Sequence, residues 1–319
     1  MYKYVLKRLL LMIPILLGVS LIGYFLLYIS PGDAVDAIAA QGGSYTEEQK
    51  DVMREELGLN DPFFIQYLNY LKGIVFHFDF GTSYTTNRSV TSEILTAFPT
   101  TLLLSCLGIL VAVMVGIPAG IISATKQYSI FDKIVTPISL IGVSMPGFWF
   151  GLMLIIAFSV NLKLLPASGF YGPKYWILPA VTVGAMSAAF IMRMTRSSML
   201  ECIRQDYIRT ARAKGQTEFK IVMRHALRNA MLPIITATGL QFGYLLGGSI
   251  LAESVFAIPG LGKLILDGIK ARNYPVVEGG VLFFAFAFSI VNLMVDVLYA
   301  YVDPRIKSQY VRKKDGHDE

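Results

Sequence analysis

Of the 319 residues, 54% are hydrophobic and 16% charged, mean hydropathy is +0.56, and the apolar residues gather in long blocks, which excludes an ordinary soluble domain. The net charge of +6 does not mark a nucleic-acid binder, because the bases stand beside the apolar blocks rather than on one soluble face. Six charge-free intervals, 9–32, 94–125, 134–162, 175–192, 229–252 and 279–295, are each long enough for a membrane-crossing helix, which needs about 20 residues. The expected fold class is an all-α polytopic membrane protein with six transmembrane helices, both termini cytoplasmic, and a small helical extracytoplasmic element after the first helix.

The chain opens MYKYVLKRLL, with Lys3, Lys7 and Arg8 ahead of an apolar run to residue 29. That run is too long for a secretory h-region and no A-x-A-like site closes it, so 1–30 reads as a retained first transmembrane helix with its amino end inside. Residues 31–93 hold ten acids against four bases, Lys50, Arg54, Lys72 and Arg88, which is the balance of an outside loop. Within it, Thr46-Glu-Glu-Gln49 has capping-box spacing, predicting a helix to Leu57 stopped by Gly58, and 63–75 reads as a second amphipathic helix. Residues 31–98 are therefore expected to form an extracytoplasmic helical loop.

Residues 99–303 are expected to hold a five-helix core. The second span, 100–122, carries Gly116-x-x-x-Gly120 and Pro118; the third, 134–160, carries Pro137, Pro146 and Gly147-x-x-x-Gly151. Small residues at this spacing let helices approach closely, and plain packing is the simplest reading of each. Lys126 and Lys133 place the intervening loop inside, whereas 161–175, with Lys163 and Lys174 beside LLPASGF, fits the outside. Cys106 falls in a span and Cys202 in an inside loop, so they face different environments and imply no disulfide framework.

After a short fourth span, 176–192, comes a cytoplasmic hairpin at 193–231. From 193 to 228 nine Lys/Arg stand against Glu201, Asp206 and Glu218, and a loop that basic stays in the cytoplasm. Ile203, Tyr207, Ile208 and Ala211 recur at helical spacing, Gly215 follows, Thr217 can cap what comes next, and Phe219, Ile221, Val222, Ala226 and Leu227 form a second helix before Pro233. By composition alone such a hairpin either adsorbs to anionic lipid or docks on a protein.

The fifth span, 232–252, has Gly239, Gly243 and Gly247 at four-residue steps, a close-packing stripe, with Gln241 on another side where it lines a pathway or bonds a neighbouring helix. The loop 253–278 contains GLGK but lacks the earlier glycine and following Ser/Thr of a phosphate-binding loop. In the sixth span, 280–301, Asn292 and Asp296 are the polar residues and Tyr299 and Tyr301 mark the interfacial end. Asp296 is either a functional acid or one that reaches water or an arginine. Arg305, Lys307, Arg312, Lys313 and Lys314 keep the tail, 304–319, inside.

Three function classes compete. An intramembrane enzyme is disfavoured, because His77, His225 and His317 all lie outside the spans, leaving no Ser/His dyad and no histidine-based metal site there; neither catalytic nor metal-ligating residues are expected. A secondary transporter would show paired broken helices in related halves. Six spans, a basic cytoplasmic hairpin and no nucleotide motif suit a subunit whose energy comes from a separate chain.

The segments RTARAKG and RHALRNA, followed by Leu232-Pro233, together with LGLNDPFFIQYLNYL and FDFGTSY in the first loop, resemble the dipeptide, oligopeptide and nickel branch of ABC-importer inner-membrane permeases. The wider superfamily loop reads Glu-Ala-Ala, three residues, Gly, then Ile-x-Leu-Pro. Aligned on Gly215, Arg209, Thr210 and Ala211 replace Glu-Ala-Ala and the distance to Leu232-Pro233 is longer, departures that resemble the same branch. The resemblance implies that Arg209, Thr210, Ala211 and Gly215 belong to a coupling helix docked in a groove of an ATPase. It also implies a homologous second permease subunit, two ABC ATPase subunits, an extracytoplasmic solute-binding protein and a peptide substrate, in the lipid of a bacterial plasma (inner) membrane. ATP and magnesium are then bound by the partner subunits and the permease has no cofactor of its own. Gln241, Gly243 and Asp296 are the candidate pathway residues. A nickel-complex or glutathione-type importer subunit and a stand-alone secondary transporter are the alternatives.

Overall fold

The computed structural model describes residues 2–30, 32–39 and 45–302. Among them the chain is helical, with one isolated antiparallel bridge between Thr82 and Ser89. In order, the helices are α1 (Tyr2–Tyr28), α2 (Ala34–Ala39), α3 (Glu47–Glu56), α4 (Phe63–His77), α5 (Val90–Thr125), α6 (Ile130–Ser144), α7 (Gly147–Leu154), α8 (Pro173–Ile203), α9 (Asp206–Ala213), α10 (Glu218–Lys220), α11 (Leu227–Gly248), α12 (Ile250–Val255), α13 (Leu261–Lys270) and α14 (Tyr274–Val302). Two π-helical stretches, Ile155–Asn161 and Ile221–Ala226, continue α7 and join α10 to α11. The expected tail at 304–319 and the side chains of Lys3, Tyr299 and Tyr301 lie outside what the structure describes.

Five helical segments are long and apolar enough to cross a membrane: Val5–Tyr28, Val90–Thr125, Pro173–Ile203, Glu218–Gly247 and Tyr274–Val297. A sixth apolar segment, Ile130–Ser144 with Gly147–Asn161, is bent by 108°, and counting it as one crossing gives six. The third span expected over 134–160 is thus broken in the middle. Met145 is extended (φ −75, ψ 132) because the ring of Pro146 disfavours a helical conformation in the residue before it, and α7 starts afresh after the proline.

The hairpin at 193–231 also differs from its reading. Ile203 belongs to the last turn of α8 and not to the hairpin helix, as does Cys202, and the second arm is no separate helix. From Glu218 the backbone runs without interruption into α11, past Pro233. The π-helical turn explains how the apolar face survives: Ile221 and Ala226 are both buried although five residues apart, and Ala230 and Ile234 follow at steps of four. A π turn closes i to i+5, so it absorbs the extra residue.

Two compact units are discontinuous in sequence. Of the described residues, the first comprises 2–6, 102–258 and 290–302. Its centre is α8, packed on α5, α6, α7 and α11. A Cβ added to Gly116 would sit 2.7 Å from the Ala188 carbonyl oxygen, and one on Gly120 2.6 Å from that of Met192, so both glycines let α5 lie directly on the α8 backbone. In the third span, Gly151 packs similarly against Thr182 and Phe256.

The second unit comprises 7–101 and 259–289. Its core is Val90, Ile94, Leu261, Ile265, Val276 and Val277, with Phe80, Phe98 and Phe283 against them. The Thr46 hydroxyl accepts from the Gln49 N–H and the Gln49 side chain accepts from the Thr46 N–H, the reciprocal cap expected of α3; Gly58, at φ +65, ends that helix. Buried Asn273 donates to the Ser83 and Thr85 hydroxyls at 2.8 and 3.0 Å and accepts from the Tyr84 N–H, fixing the loop after α4 to the start of α14. GLGK opens α13, an apolar-faced helix whose Leu261 and Ile265 enter the core.

Candidate coupling face

The short helix α9 has two faces. Ile208 and Ala211, three residues apart, are buried with Ala124, Met199, Ile221, Ala226, Ala230 and Ile234, while Arg209, Thr210 and Arg212 are exposed. Of the four residues singled out from the sequence, Ala211 therefore anchors the helix and Arg209 and Thr210 face outward. The fourth, Gly215, ends it. The Gly215 N–H bonds to the Arg212 carbonyl at 2.9 Å and the Gln216 N–H to that of Ala211 at 3.3 Å, the paired closure in which the residue past the cap is left-handed. Gly215 has φ +72, and a Cβ there would meet nothing within 4 Å, so the requirement for glycine lies in the backbone alone.

Across the turn, Arg212 donates to both oxygens of Glu218, at 2.6 and 3.1 Å, and His225 and Gln216 bond at 2.8 Å. Thr217 starts the next helix with extended backbone (φ −64, ψ 144), but its hydroxyl makes no cap bond. Phe219, read from the sequence as one of the apolar residues of the second helix, is 78% exposed, and it faces outward beside the turn together with Met223. The wide π turn that rotates the segment has no signature in apolar spacing, and the sequence reading missed Phe219 for that reason.

A second feature has no local signature in the sequence. Arg196 donates Nε–H to Oδ1 of Asp132 at 2.9 Å and Nη2–H to Oδ2 at 3.0 Å; the Tyr128 N–H, the Thr136 hydroxyl and the Ser123 hydroxyl also donate to that carboxylate. The Asp132 side chain is 6% exposed and that of Arg196 24%. This bidentate pair ties the first turn of α6 to α8, one helical run upstream of α9. Arg196 counted only as one base among nine, and nothing local marks Asp132 as its partner.

The candidate pathway residues do not converge. Gln241 accepts from the Ser187 hydroxyl at 2.9 Å, joining α11 to α8. Gly243 is buried, Gly239 packs directly on Val295 of α14, and Gly247 faces open space, so the glycine stripe is close-packed at one end only. Asp296 is half-buried next to Val295. Among the described residues no group of three or more His, Cys, Asp or Glu could hold a metal ion, and both cysteines are free.

Up to six crossings with a basic helix anchored beside them define, among the described residues, a multi-pass helical membrane protein. Residues 116–308 match the family described as binding-protein-dependent transport system inner membrane component, and residues 1–105 its N-terminal counterpart. The chain belongs to this family, the inner-membrane permeases of bacterial ABC importers. It is 41% identical to the dipeptide transport system permease protein DppB of Escherichia coli (strain K12), covering 96% of this chain and 99% of that one. It is 40% identical to the protein of the same name in Alkalihalophilus pseudofirmus, covering 96% and 100%. The glutathione transport system permease protein GsiC of Escherichia coli (strain K12) is 42% identical, covering 96% and 99%. Among solved structures, an inward-facing MetNI methionine ABC transporter matches with TM-score 0.55 and 20% identity over 66% of this chain and 97% of that one. An amino acid ABC transporter matches with TM-score 0.51 and 16% identity, over 67% and 94%, and both likenesses bear on the fold alone.

Proposed function

We propose that this chain is the translocation subunit of an ATP-driven importer of short peptides, assembled with a homologous second permease, two ATPase subunits and an extracytoplasmic solute-binding protein. The observation that carries the substrate class is the 41–42% identity, over 96% of the chain, to permeases named for a dipeptide and for glutathione, itself a short peptide. The acid-rich 31–98 segment then faces out and α9 faces in, where the ATPases bind ATP and magnesium. Closure of the ATPases on ATP draws the α9 helices together, and the rigid seat of α9 on α8 and α11 passes that movement to the spans. Gln241 and Gly243 lie on the helix that moves with α9, and Asp296 lies on α14; no bond is broken in the permease.

In proteoliposomes, labelled glycyl-leucine should accumulate only when all partners and ATP are present, and unlabelled dipeptides should compete where nickel chelates do not. This chain alone should neither hydrolyse ATP nor transport. Uptake by the chain alone, driven by a proton gradient and abolished by Asp296→Asn, would replace this reading with a secondary transporter.

A further inference from the structure

The second unit holds an open cavity of ≈ 480 Å³ outside the coupling face, and its lining includes Tyr24, Tyr70, Tyr84, Tyr274 and the half-buried Glu278. Its volume is that of a small-ligand site. Glu278, at the start of α14, has no hydrogen bond or ion pair among the described residues. The one base at the wall is Arg54, which is occupied by Asp33 at 2.6 Å and Asp51 at 2.9 Å. Burying an unpaired carboxylate is costly, and a counter-charge removes the cost. The Tyr70 hydroxyl is sealed from solvent and also lacks a partner, whereas Tyr24 donates to Gln66 and Tyr274 to the Gly32 carbonyl. Tyrosine faces are negative and attract cations. A metal ion would need further ligands, and no metal-holding group occurs among the described residues.

We infer that this cavity is a binding site for a small organic ammonium ion, its charge held by Glu278 and its alkyl portion set among the tyrosine rings. Assigning that ammonium to the free amino terminus of a short peptide rests on the peptide reading above; the ammonium chemistry does not. The site then reads a feature that all unblocked peptides share, whatever their side chains.

Saturation-transfer NMR suits weak binding to the full chain in nanodiscs. Glycyl-leucine and ethylamine should receive saturation and compete with each other, N-acetyl-glycyl-leucine should receive none, and Glu278→Gln should lose the signal from both amines. Binding of ethylamine but not of glycyl-leucine, lost in Glu278→Gln, would uphold the ammonium site and remove only its peptide assignment. Equal saturation of the acetylated peptide, unchanged signals in Glu278→Gln, or no amine binding to the wild-type chain would each overturn the site. So would a crosslink from Glu278 to a lysine of a partner subunit in the assembled transporter.

Discussion

At the scale of single residues, the informative side chains are paired charges. Asp132 accepts from five groups and is buried, so removing its arginine leaves an uncompensated charge. Arg196→Leu should destabilise the chain by about 3 kcal/mol. Arg196→Lys should cost less but not nothing, since an ammonium cannot bond both oxygens in the plane of the carboxylate. Thermal unfolding in detergent checks this, and a wild-type profile for Arg196→Leu would show that the pair holds nothing. Asp33 offers a pH test outside the spans. Burial alone would push its carboxyl up, but the Arg54 hydrogen bond and charge, with the Asp36 and Val35 N–H groups, hold it below the usual range. A carboxyl lowered on folding contributes stability that is present above its ordinary value and is lost as pH falls through the lowered one. Protection factors for hydrogen exchange in α3, which carries Arg54, should therefore fall as pH drops below about 4, near the ordinary aspartate value. Asp33→Asn should exchange faster at neutral pH and lose that acid dependence.

At the scale of elements, glycine placement decides which helices can touch. Gly116 lies on the Ala188 carbonyl, whereas a Cβ on Gly18 of α1 would meet nothing within 4 Å. Gly116→Leu should separate α5 from α8 and cost about 1–3 kcal/mol, as overpacking does. Gly18→Leu should be tolerated, and equal yields of monodisperse protein from the two would refute the close-packing role. Legibility in the sequence followed the same division. The blocks of apolar residues placed every span, and the Thr46 and Gln49 pair placed α3, because burial in lipid and capping are local chemistry. The break at Met145 was legible only as the pair Met145-Pro146, and prolines occur inside continuous spans here too, at Pro14, Pro179 and Pro233. The α9 turn was legible from Gly215. The outward face of Phe219 and the Asp132–Arg196 pair were not, since a π turn and a contact across 64 residues are set by tertiary packing.

At the scale of the whole molecule, the account requires the two sides of the membrane to be those assigned. In a chain with Cys106 and Cys202 replaced, a cysteine at exposed Glu56 should react with an impermeant thiol reagent in intact cells, and one at Thr217 only after permeabilisation. Ser83 is unsuited as an outside probe, being fully buried against Asn273, and Ser44 lies outside the described residues. Labelling at Thr217 in intact cells would overturn the topology. The central claim is that the α9 turn couples the permease to an ATPase rather than adsorbing to lipid. The most direct measurement is co-purification of the ATPase with Gly215→Val and with Lys220→Gln, together with ATP hydrolysis in nanodiscs. At φ +72 a β-branched residue is strained, so Gly215→Val should leave the chain inserted but weaken association and substrate-stimulated hydrolysis, while Lys220→Gln changes little. Adsorption to anionic lipid gives the reverse order, since each base near such a surface contributes about 1 kcal/mol and the turn little. Normal coupling in Gly215→Val beside loss in Lys220→Gln would contradict the account.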